Sequence, residues 1–70
     1  MNEEDRKYFE EIRETKIPSI KPGQSEDSYT NMCHLYISLR HLATEALRNG
    51  TDVTVLRSNI EVILKKIEQS

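Results

Sequence analysis

Cysteine is nearly absent: Cys33 is the single one in 70 residues. It excludes a disulfide within one chain and fits a reducing, cytoplasmic setting. A cationic excess is also missing, since 10 Lys and Arg face 12 Asp and Glu. Nucleic-acid binding through a basic footprint is therefore not expected. No apolar run approaches ~18 residues, so no membrane span is expected. The acidic start Met1-Asn2-Glu3-Glu4-Asp5 has no apolar stretch and predicts no secretory signal. No internal repeat or low-complexity tract occurs. Glycine and proline are scarce, two of each, and all four fall in two short breaks. The length admits one small domain, residues 1–70.

The first break, Thr15–Gln24, holds Pro18, Pro22 and Gly23. Proline cannot continue a helix interior and biases its predecessor to extended geometry. The second, Asn49-Gly50-Thr51-Asp52, places glycine where a helix C-cap enters the left-handed region. Thr51 or Asp52 is then the expected cap of the next helix.

Three helices are predicted between these breaks. Glu3–Glu14 is short, with Tyr8, Phe9 and Ile12 on one side and acids at its start. It is too short to be stable unaided and must dock on something. Glu26–Arg48, capped by Ser25, carries a stripe of Tyr29, Met32, Tyr36, Leu39, Ala43 and Ala46. Leu35, Leu39, Leu42 and Ala46 form an overlapping second stripe. Val53–Glu68 repeats the pattern with Val53, Leu56, Ile60, Ile63 and Ile67, while Val55 and Val62 lie off that face.

Two long helices with so short a connection run antiparallel. The predicted fold is all-α: a short N-terminal helix, a Pro/Gly linker (residues 1–24 together) and a helical hairpin (residues 25–70). A two-helix hairpin has little interior, and both helices carry apolar residues beyond the seam. Leu35, Tyr36, Leu42, Val55 and Val62 are the candidate interface residues. A homo-oligomer is the expected way to complete the core; docking on a protein partner is the alternative.

Catalytic chemistry finds little to stand on. Adjacent helical residues diverge by about 100°, so Cys33 and His34 do not pair as nucleophile and base. No serine sits in a glycine-framed nucleophile turn. His34 and His41 are seven residues apart, about 10 Å along a helix, and cannot share one metal within a chain. No catalytic residue, metal or cofactor is expected. The best ligand candidate is the linker, where Lys21 and the amides near Gly23 precede a helix N-terminus. Tyr8 supplies an aromatic face, and Arg40 a guanidinium for phosphate.

These residues carry a resemblance. Tyr8-Phe9, then Lys21-Pro22-Gly23-Gln24-Ser25-Glu26, then Arg40 with Leu42-Ala43, and Leu56 with Ile60-Glu61 resemble the phage anti-CBASS sponge family in layout. Ile63-Leu64-Lys65-Lys66 stands where that family carries a small-residue and aromatic tail. The resemblance implies a compact oligomer that sequesters a cyclic-nucleotide immune signal in pockets between subunits. Tyr8, Lys21 and an arginine are then implied as ligand contacts. Leu39-Arg40, Gly50 and Val55–Glu61 also look similar to small aspartyl-phosphate phosphatases of sporulation. Ser58-Asn59-Ile60-Glu61 lacks that family's motif aspartate, so dephosphorylation is not inherited from it.

Overall fold

The computed structural model describes residues 1–50 and 53–69. It is all-α, with α1 at Glu3–Arg13, α2 at Glu26–Asn49 and α3 at Val53–Glu68, and no strand among the described residues. The boundaries follow from local chemistry. Asn2 caps α1, its Oδ1 accepting from the Asp5 amide at 2.7 Å. Glu3, Glu4 and Asp5 fill the first turn, where carboxylates meet the positive end of the helix dipole. Ser25 caps α2 in the same way, accepting from the Ser28 amide at 3.1 Å. Gly50 ends α2 at φ 64 and donates to the Ala46 carbonyl at 2.9 Å. That left-handed backbone suits a residue without Cβ. The expected cap of α3 at Thr51 or Asp52 lies outside the described residues.

The long axis belongs to α2. The molecule measures 42 × 18 × 16 Å, and the 24 residues of α2 account for about 36 Å of its length. Both other helices pack on α2. With only residues 50–52 separating them, α2 and α3 run antiparallel. The core sits towards the C-terminal half of α2, where Leu39, Ala43 and Ala46 meet Phe9 of α1 and Ile60 of α3. Phe9, Leu39 and Ile60 are fully buried. Burying such a side chain contributes about 1.5–3 kcal/mol. The two alanines between them let the helix axes approach. Met32, one stripe step below Tyr36, is also buried.

The docking partner of α1, left open by the sequence, is its own hairpin. Phe9 inserts between α2 and α3, with Tyr8 edge-on to it at 5.3 Å between ring centroids. The linker then descends along the N-terminal half of α2. Arg40 donates from Nε and Nη2 to the Thr15 carbonyl, the first at 2.9 Å. The Tyr29 hydroxyl donates to the Pro18 carbonyl at 3.0 Å. Gly23, at φ 81, closes a turn in which the Gln24 amide donates to the Lys21 carbonyl at 3.0 Å.

Candidate ligand and interface surfaces

Arg57 joins α1 to α3. Its Nη1 donates to Asp5 Oδ1 at 3.1 Å, and its Nε stands 3.8 Å from Glu61 one turn along. The guanidinium carbon lies 4.1 Å above the centre of the Tyr8 ring. A cation at that distance over an aromatic face is attracted by the ring quadrupole. One face of Tyr8 is thereby covered. Its hydroxyl is shielded from solvent and has no hydrogen-bond partner among the described residues. Burial raises the Tyr8 pKa above its ordinary value, and Glu61 adds to the rise while Arg57 opposes it. Tyr29 also holds its proton more tightly than usual, through the neighbouring Cys33 thiol first and burial second.

The four ligand-site candidates occupy different levels of the fold. Tyr8 packs beside the core cluster, which begins at Leu39, fourteen residues up α2 from Ser25 and about 20 Å along its axis. Lys21 and Gly23 are exposed at the opposite end, just before Ser25. Two donors of Arg40 engage Thr15. The amide of Gln24 is engaged within its own turn, and Glu26 and Asp27 follow in the first turn of α2. Those two carboxylates already complement the helix dipole there. None of the four residues lines either of two surface clefts described below.

The interface candidates divide. Leu35, Tyr36 and Leu42 are half-buried, and Tyr36 and Leu42 pack against the core of their own chain. Val55 and Val62 stand out, 58% and 53% exposed. At about 100° per residue they point away from Ile60, on the outward side of α3. His34 and His41 are exposed and Cys33 is half-buried and free. No group of three or more His, Cys, Asp or Glu able to hold a metal occurs among the described residues. No helix among them is long and apolar enough to cross a membrane.

Two clefts open near the C-terminal end of α2. The larger, about 410 Å³, lies between α1 and α2 and includes Arg6, Arg13 and Arg48. The smaller, about 380 Å³, lies beside it and includes His41, Glu45 and Arg48. Arg48 closes the long helix that the sequence predicts. Arg6 and Arg13 were not singled out, although their seven-residue spacing puts both on one side of α1.

Fold and surfaces together define a small helical hairpin with a docked N-terminal helix and an apolar strip on its outer side. No protein-family model, curated protein or solved structure matches the chain.

Proposed function

We propose that the protein is a small, cytoplasmic, non-enzymatic binding protein that works by association through the outward face of α3, first of all with a second copy of itself. The carrying observation is the exposure of Val55 and Val62. They lie seven residues apart on one line of α3, with Ser58 and Asn59 between them. A short apolar strip with an uncharged centre suits the flank of another helix. The core also has room for help, because only six apolar side chains are buried among the described residues. Sedimentation equilibrium of the wild type and of Val55→Glu/Val62→Glu tests this. The expected result is a defined oligomer that the double substitution converts to a folded monomer. A wild type that stays monomeric at high concentration overturns self-association.

Capture of a cyclic nucleotide, the function implied by the sponge resemblance, depends on that oligomer. Within one chain Arg57 lies over Tyr8 and Arg40 holds Thr15. Lys21 is too far along the molecule to join Tyr8 in one site. A nucleotide would need groups from more than one copy. Native mass spectrometry with cyclic di- and trinucleotides is the test. Nucleotide mass gained in fixed stoichiometry supports capture, and an oligomer gaining none removes it.

A further inference from the structure

The cleft between α1 and the end of α2 concentrates positive charge in an acid-rich chain. Arg6 and Arg13 enter it from α1, and Arg48 from the last turn of α2. Glu10 is the one acid on its lining among the described residues. Among the described residues, none of these three arginines forms an ion pair; the pairs described there both belong to Arg57. Yet α1 carries Glu3, Glu4, Asp5, Glu11 and Glu14 besides Glu10. Asp5 faces Arg57 instead. Three like charges are thus gathered around one opening and left largely uncompensated, although acids are plentiful nearby.

The three arginines are exposed, but the helices that carry them are held in place. Phe9, fully buried, fixes α1 against α2. Arg40 ties the end of α1 to the same helix through Thr15. The cleft is therefore set between two held elements. A guanidinium offers a planar fork of donors that matches phosphate oxygens. Three forks arriving from two helices suit a tetrahedral dianion better than a flat carboxylate. Leu47 adds an apolar side chain to the lining, suited to the organic part of a ligand.

We propose that this cleft binds a phosphate-bearing small molecule, with Arg6, Arg13 and Arg48 holding the phosphate. The site is separate from Tyr8, Lys21 and Arg40 and from the outward face of α3. It stands or falls independently of self-association.

The test is amide chemical-shift titration of the full chain with inorganic pyrophosphate and then AMP at low salt. Saturable shifts are expected at Glu10 and Leu47–Gly50, weakening as salt is raised. Arg48→Gln and Arg6→Gln are each expected to weaken binding about tenfold. Lys65→Gln, on exposed α3, is expected to leave it unchanged. Absence of saturable shifts up to about 10 mM overturns the proposal. So does equal binding by wild type and Arg48→Gln. Tighter binding of an acidic peptide than of pyrophosphate also overturns it, by assigning the cleft to a protein segment.

Discussion

Tyr8 and Arg57 show how one residue's placement changes what its chemistry can do. An aromatic ring early in a charged helix reads as a stacking surface. In the fold its face meets a guanidinium at 4.1 Å and its edge meets Phe9. The part legible in the sequence was local: Arg57 and Glu61 are one turn apart. The contact of Arg57 with Asp5 spans 52 positions, and no periodicity encodes it. The same holds for Arg40, whose partner carbonyl lies 25 residues back. The solvent-shielded Tyr8 hydroxyl without a partner should be a cost to the fold, since an unsatisfied buried polar group loses its water without compensation. Tyr8→Phe retains the ring for Arg57 and removes that hydroxyl. It is expected to stabilise the protein by about 1 kcal/mol in urea denaturation at neutral pH. Loss of stability on the substitution would mean that the hydroxyl is satisfied. The alkaline side gives an independent check. A tyrosine whose pKa is raised by burial resists ionisation in the folded state, so its titration leaves stability unchanged below the unfolded value of 10.0. Above 10.0 the unfolded chain ionises first, and stability falls as pH rises through the folded value. Wild-type stability is therefore expected to fall from pH 10.0 upwards, and Tyr8→Phe to fall less steeply. Tyr29, also raised, adds to the loss that remains.

Among the elements, α1 depends most on others. It has 11 residues, fewer than an isolated helix needs in water. Its caps and first-turn acids favour helix without securing it, and docking supplies the rest. Phe9 provides the apolar anchor, and Arg40 closes the far end. The Thr15 carbonyl lies just beyond the C-terminus of α1, where partial negative charge collects and a cation is favoured. Arg40→Met keeps an aliphatic stem and removes the two donors to Thr15. It is expected to cost about 1 kcal/mol, below the full value of a charged hydrogen bond because the site is only half-buried. Amide exchange in α1 should then speed up several-fold, while the Leu39–Ala46 segment of α2 keeps its protection. Uniform loss of protection across all three helices would show that α1 opens only with the whole molecule. The existence of α1 was legible from its acids and from Tyr8, Phe9 and Ile12. The element that receives it was not, because the apolar faces of α2 and α3 are equally able to meet a neighbour.

At the scale of the whole molecule, three helix extents were legible to within a residue at each end, because caps and breaks are local signals. Glu14 and Asn49 are the only described boundaries that moved, each by one position. The distribution of stability along the 42 Å axis was less legible, since it depends on which stripes are covered. The core cluster occupies the level of Leu39, Ala43, Ala46, Phe9 and Ile60. There three helices surround one interior. Towards the start of α2 the third layer is only the linker, held through Pro18 and Tyr29, with Met32 as the buried side chain at that level. Fewer apolar contacts per turn mean cheaper local opening. Native-state hydrogen exchange is therefore expected to be graded. The slowest amides should lie at Leu39–Ala46 and around Ile60, and faster ones in the first two turns of α2 and the last turn of α3. Disrupting the linker contact gives the sign of the effect. Tyr29→Phe removes the donor to Pro18, and should speed exchange near Ser28–Met32 while leaving Leu39–Ala46 unchanged. If the start of α2 proves as slow as its centre in the full-length protein, that end must be covered by something more than the linker. The outward α3 association would then be expected to extend over it, and dilution to monomer should restore the gradient.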